Sequence, residues 1–471
     1  MTRRAVDARG ATIAPFQPYS RAIAGQMSYE VQTIPVMPAL KTASPSAAFG
    51  GRALLLAIAL GLGAALLLGP VAPARDLMAL WLAAQEVAAG QPDAIYPPLA
   101  PVFEMRPPLS WYDAAAKLGR PGTVYPYLYP PLWAHLLAPV TGWIGFDSFA
   151  RAVLGLHVAL LALLPLIAAH FTLARAPTAA EARLWVGAAV AALILSHGVP
   201  VALLQGQPQI LVAFLTLYGL DRAAQGRPVP GGLALGLAIA LKLAPLPLAL
   251  LWLLTGQSRA ALVALGVTGA LGLVSIALAG WPAHAEFWAQ LRVIDHTALM
   301  STSTAAFDTL WGKLCCLDQT QFIPALPPEI GTAGSGWHVL AKPAPWASAQ
   351  KLALLGLLLA LAVPLRRAPT SARRAALWGL ACTCLAFLGP IGWIYYYIVP
   401  LALIAALPHS LGRAGWALTI GTIALLAAHR FMGFAGIDLP YAGLLPSLGV
   451  LPLAAGFAWA ALPPAPENSN A

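Results

Sequence analysis

Asp76 follows the first long apolar run, Ala53–Gly69, by about one helical turn, at a place where solubility does not call for a carboxylate. An acid held there can take the proton of a hydroxyl group and turn it into a nucleophile. The same position also suits an ion pair with Arg75 or a helix cap, and position alone leaves these readings open. Lys242 is the second candidate, because an ammonium inside an apolar segment costs about 2.5–3.5 kcal/mol at the centre of a bilayer. It therefore needs a cavity, a partner, an anion such as phosphate, or a route for its stem to reach an interface. Pro245 and Pro247 break the helix just beyond it, freeing backbone groups that only protein or water can satisfy. A third group is the turn Gly389-Pro390-Ile391-Gly392 followed by Trp393, Tyr395, Tyr396 and Tyr397, rings able to bond a polar ligand or to form an interfacial belt. Gln205-Gly206-Gln207 interrupts two apolar runs, and its amides can serve a ligand or freed backbone. Arg292, Asp295 and His296 stand together near a helix end, where they can grip a phosphate or pair with one another. His135, His157, His170 and His197 lie singly on apolar faces and read as packing residues.

The elements that position these residues are membrane helices. Of the 471 residues 59% are hydrophobic and only 9% charged, against about 25% charged in soluble domains, which excludes an ordinary cytosolic enzyme. Apolar stretches of about twenty residues, the length a bilayer core demands, recur along the chain. The expected fold class is an all-α polytopic membrane protein of about twelve transmembrane helices with two larger external loops. Its parts are a disordered cytoplasmic tail (1–50), a transmembrane domain (51–462) with external loops at about 71–148 and 281–345, and a short cytoplasmic tail (463–471). Spans are expected at 53–69, 149–173, 184–203, 207–222, 259–280, 346–364, 374–389, 394–407, 414–430 and 443–461, with a proline-broken pair at 231–242 and 243–254. The 71–148 loop mixes charges with Trp and Tyr, as short helices lying in the interface do.

The net charge of +10 would point to nucleic acid in a soluble domain. Here more than half of the 27 basic residues, among them Arg183, Arg222, Arg259, Arg366 and Arg373, fall in the segments assigned to the inner side, so they set topology instead. Both termini are then cytoplasmic. Cys382 and Cys384 read as packing residues, while Cys315 and Cys316 sit in the second external loop with their redox state open. No zinc spacing, carboxylate cluster, phosphate loop or dinucleotide fingerprint occurs, so neither metal nor cofactor is expected. No inner loop is long enough for a nucleotide-binding domain. A transferase of this build would draw its activated donor from the membrane, and a polyprenyl phosphate sugar meets that need. A lipid or small-molecule transporter and a non-catalytic assembly subunit are the competing classes. The first is expected to show paired broken helices in both halves, and the break at 231–254 has no counterpart.

The pattern resembles glycosyltransferase family 87, membrane mannosyltransferases of the GT-C fold. The resemblance is carried by Asp76-Leu77-Met78-Ala79-Leu80-Trp81-Leu82-Ala83-Ala84 with Gly90 and Tyr96, then Tyr129-Pro130-Pro131, Gly206-Gln207, Gly236 with Leu241-Lys242, and Gly389-Pro390 with Trp393, in family order from about residue 50 to 460. It implies an inverting transfer from a polyprenyl-phosphate sugar, by default mannose, to an extracytoplasmic glycolipid or glycan hydroxyl. Asp76 would be the general base, Lys242, Arg292 and His296 would hold the donor phosphate, and Trp81, Gln207, Trp393, Tyr395 and Tyr396 would line the substrates. The chain departs from the family at Tyr395-Tyr396, where many relatives have histidines, and at Pro208-Gln209, where relatives often have a small or apolar residue and asparagine.

Overall fold

The computed structural model describes residues 51–67, 74–173, 178–331, 336–434 and 442–463. The two expected tails lie outside the described residues, apart from position 463. Helix α1 (Gly51–Leu67) is followed by three short helices, α2 (Arg75–Ala88), α3 (Ser110–Lys117) and α4 (Pro131–Leu137). Next come α5 (Phe146–Thr172), α6 (Ala179–Leu195), α7 (Gly198–Gln205), α8 (Gln209–Ala224), α9 (Pro228–Leu241), α10 (Leu246–Leu254) and α11 (Ser258–Asp295). Strand β1 (Thr297–Met300), helix α12 (Phe307–Cys315) and strands β2 (Gln321–Pro324) and β3 (Gly336–Ala341) precede α13 (Ala344–Arg366) and α14 (Ser371–Leu388). The chain then forms α15 (Ile398–Leu403), α16 (Ala406–Phe434) and α17 (Leu445–Ala460).

Among the described residues four helices are long and apolar enough to cross a membrane: Phe146–Thr172, Ser258–Asp295, Ala344–Arg366 and Ala406–Ala428. Arg183–Leu195 and Gly198–Gln205 make a fifth if taken together, although they bend by 62°. The 184–203 segment is thus a bent pair and not one straight span. Ser196 leaves helical geometry with ψ 149°, and α7 restarts at Gly198. A side chain at Gly198 would strike the Ile394 carbonyl, its Cβ lying 2.6 Å from that oxygen. Segment 394–407 likewise differs from expectation: a 3-10 turn, Ile394–Tyr397, leads into the six-residue α15.

Small residues draw the helices together, as they do where no hydrophobic force separates helix from lipid. Gly232 and Gly236 place the backbone of α9 against α11, where a Cβ on either would lie 2.6–2.7 Å from the carbonyls of Ala260 and Ala264. The described part of the first external segment, from Ala74 on, folds, as expected, into short helices. They enclose an aromatic core of Trp81, Trp111, Tyr112, Tyr127 and Phe146, joined by Phe287 from α11. Phe287 reaches that core because α11 does not stop at residue 280. Gly280 turns the chain with φ 74°, and the helix continues to Asp295.

The second loop holds a feature outside the all-α expectation, a three-stranded antiparallel sheet ordered β1-β3-β2. Beneath it Lys342 donates to Asp308 Oδ2 at 2.9 Å, both side chains 1% exposed, and Trp346 Nε1 donates to Asp308 Oδ1 at 3.0 Å. Cys315 and Cys316 are joined by a disulfide, and Cys382 is a buried free thiol.

Candidate active site

The site is assembled where the start of α2 meets the α7–α8 turn. Ala74 adopts a left-handed conformation (φ 44°), and its N–H donates to the Leu204 carbonyl at 2.9 Å. That bond sets the first turn of α2, and with it Asp76, against the end of α7. Gly206 closes α7 with φ 63°, in the region that favours glycine. A Cβ there would stand 2.8 Å from Leu77 Cβ, so glycine also permits the contact with α2. The next residue, Gln207, is thereby brought to the carboxylate.

Gln207 is 2% exposed, and its amide is held at each end. The Tyr129 hydroxyl donates to Oε1 at 2.9 Å and Nε2 donates to the Tyr395 hydroxyl at 3.0 Å. Lys242 caps α9 in an extended conformation (φ −156°, ψ 122°). Its ammonium lies 4.6 Å from the ring centroid of Tyr396, 5.5 Å from Tyr395 and 5.9 Å from Tyr129, so the helix break delivers the charge to a cage of aromatic faces. Tyr395 stacks on Trp393 with centroids 5.8 Å apart. The loop before α12 fixes this turn, since Ala305 N–H donates to the Gly392 carbonyl at 2.7 Å and Ile394 N–H to that of Ser303 at 2.9 Å.

These side chains line one cavity of about 660 Å³. Asp76 and Lys242 face each other there, with Arg292, Trp393, Tyr395 and Tyr396 on other walls. Burial pushes the Asp76 carboxyl well above the usual carboxylate range, while the nearby Lys242, Gln207 amide and Arg75 pull it back. A carboxyl with that balance accepts a proton more readily than an exposed aspartate, which suits a base.

The expected cluster needs two corrections. Trp81 is 1% exposed and packs between Phe146 and Phe149 at centroid distances of 5.9 and 5.3 Å, so it is a core residue that does not line the cavity. His296 is also off the lining: its side chain is half exposed, with Nδ1 donating to the Arg292 carbonyl at 3.0 Å. Gln207 borders the cavity with its amide already engaged by protein groups. Of the remaining histidines, His170 bonds Asp221 at 2.7 Å and His135 the Pro131 carbonyl at 3.1 Å, consistent with packing roles.

Tyr125, Tyr129 and Lys351 are cavity residues beyond the expected set. Lys351 is the charge at the head of an apolar helix and pairs with Asp295 at 2.5 Å. The rule that singled out Lys242 applies to it in weaker form. The tyrosines are legible only as an alternation, Tyr125-Pro126-Tyr127-Leu128-Tyr129.

A mostly helical membrane protein whose cavity sets a carboxylate against an ammonium is the class that fold and site define. The sequence profile of glycosyltransferase family 87 matches residues 127–389, more than half of the chain. The chain belongs to glycosyltransferase family 87 and is a membrane glycosyltransferase, so the transporter and assembly-subunit readings fall away. The matched stretch contains Gln207, Lys242, Arg292 and the Trp393 approach up to Gly389, and begins after Asp76. The chain is 28% identical over 332 residues, 66% of its length and 70% of the relative's, to the polyprenol-phosphate-mannose-dependent alpha-(1-2)-phosphatidylinositol mannoside mannosyltransferase of Mycolicibacterium smegmatis. A protein of the same name from Mycobacterium tuberculosis is 33% identical over 182 residues, 37% of this chain and 42% of that one.

Proposed function

We propose that this glycosyltransferase moves mannose from a polyprenyl phosphate to a hydroxyl of a mannosylated phosphatidylinositol-type lipid, with inversion at the anomeric carbon. The acceptor hydroxyl gives its proton to Asp76 as its oxygen bonds the anomeric carbon. The bond from that carbon to the phosphate oxygen breaks, and polyprenyl phosphate leaves with the electron pair. A phosphate needs little protonation to leave, so fixed positive charge suffices, and Lys242 with Arg292 provides it. Trp393, Tyr395 and Tyr396 bear on the sugar, and the apolar wall formed by Val212, Ala213, Leu246 and Leu248 receives the prenyl chain.

The observation that carries this reading is Asp76 facing Lys242 across a cavity with both a polar and an apolar lining. A soluble nucleotide-sugar donor would not need the apolar wall. In this reading the cavity opens on the extracytoplasmic side of the cell membrane and both termini are cytoplasmic. The long helices, the bent pair and the shorter apolar helices, Leu55–Leu67, Pro228–Leu241, Ile394–Leu403 and Leu445–Ala460, make nine spans among the described residues, and α8, α10 and α14 would bring this reading to about twelve.

The test is an assay of purified protein with mannosyl and arabinosyl polyprenyl phosphates against extracted phosphatidylinositol mannosides. Turnover with the mannosyl donor alone is expected. Transfer from the arabinosyl donor only would replace the sugar, and turnover with neither would remove the donor assignment.

A further inference from the structure

Beyond the turn at Gly280, α11 lays one face along the cavity: Phe287, Trp288, Leu291, Arg292, Ile294 and Asp295 recur at helical spacing and all border it. Arg292 on this face suits a phosphate, but Asp295, three residues on, does not. Two anions repel, so a phosphate drawn toward Asp295 loses part of what Arg292 gives it. Lys351, reaching in from α13, balances the carboxylate with Nζ on Oδ2 at 2.5 Å. This end of the cavity therefore carries a charged pair with no net charge.

The pair has bonding capacity to spare. Asp295 Oδ1 receives no hydrogen bond from the described residues, and Lys351 gives Asp295 one of its three N–H groups. The side chains are 19% and 62% exposed, so both are open to a ligand. Trp288 stands two turns before Asp295 on the same face and is 47% exposed while bordering the cavity. The wall thus offers a charged acceptor, charged donors and an aromatic plane. A neutral sugar ring uses all three, because each hydroxyl both donates and accepts and the C–H face of the ring lies against an aromatic one. A lipid chain here would strip water from the ion pair without replacing its hydrogen bonds.

We propose that Trp288, Asp295 and Lys351 form an acceptor-sugar subsite, which holds the uncharged glycan next to the unit whose hydroxyl reacts. This rests on the acceptor being a mannosylated lipid. The donor's sugar is tied through its anomeric carbon to the phosphate, and so it stays with Lys242 and Asp76. The Asp295 end then goes to the substrate whose sugars bear no charge, and its carboxylate keeps the donor phosphate from settling there.

The experiment measures KM for each substrate in detergent, with mannosyl polyprenyl phosphate and extracted phosphatidylinositol mannosides, for wild type, Trp288→Leu, Asp295→Ala and Lys351→Met. A pair this exposed contributes little to folding, so its variants remain measurable. Each substitution should raise KM for the mannosides about 10-fold, the scale of a hydrogen bond to a charged group or of a lost stacking face, with kcat and donor KM nearly unchanged. An unmoved acceptor KM, as for an ion pair and an indole that serve only the membrane interface, overturns the proposal, as does a rise in donor KM instead. Saturation-transfer NMR with mannobiose reads the subsite without turnover: transfer to the wild type should be lost in Asp295→Ala and Trp288→Leu. No transfer to the wild type, or equal transfer to the variants, also overturns the proposal. A wild type that binds mannobiose in this way yet does not mannosylate the lipids defeats the proposed reaction and leaves the subsite standing, so the two failures are distinct.

Discussion

Gly206 and Leu77 are in contact across the α2–α7 junction, and that contact is what brings Gln207 to Asp76. Gly206→Ala meets two obstacles, a left-handed φ of 63° and a Cβ 2.8 Å from that of Leu77. The conformation alone costs about 1–2 kcal/mol. Gly226 is the control, since its φ is 72° but no atom lies within 4 Å of an added Cβ. Thermal unfolding in detergent should show both alanine variants destabilised, Gly206→Ala the more. Only Gly206→Ala should lose specific activity.

The acid limb of the rate profile should lie above the range of an ordinary aspartate, because burial dominates the environment of Asp76. The sign follows from the base role: activity requires the ionised form and falls as pH drops through the raised value. Lys242 pulls that value down, so Lys242→Met should move the limb to higher pH. It should also cut kcat/KM by about 10²–10³-fold at the plateau through loss of charge opposite the leaving phosphate. A variant with an unmoved limb would show that Lys242 does not act on Asp76.

Stability of the sheet layer rests on the Asp308–Lys342 pair, both members 1% exposed. Asp308→Asn leaves the ammonium without its counter-charge and should cost about 3–5 kcal/mol in a denaturation experiment. Replacing both partners, Asp308→Leu with Lys342→Met, should recover most of that loss. No recovery would mean that the pair contributes through the Trp346 hydrogen bond instead of through charge.

Asp76 and Lys242 were legible because each breaks a rule of its surroundings, a carboxylate just past an apolar run and an ammonium inside one. The late turn was legible from Gly389-Pro390 and its tyrosines. Trp81 misled because the resemblance pointed to it, although helical spacing held a contrary signal: Leu77, Trp81 and Ala84 share one buried face of α2, with Asp76 and Leu80 on another. His296 misled because its neighbour Arg292 lines the cavity, whereas its own ring turns back onto the helix end. The sheet was not legible, since β1 and β3 pair Thr297 with Ala341 across an intervening helix and no local pattern encodes such a partner. The bend at Ser196–His197 was hidden for a similar reason, because the approach of Gly198 to Ile394 belongs to tertiary packing.

The most direct test of the account is the turnover of purified Asp76→Asn, measured beside its binding of the polyprenyl-phosphate donor. The expected result is a fall in turnover of about 10²–10⁴-fold, the usual contribution of a positioned base, with donor binding retained. Turnover at the wild-type level would contradict the account.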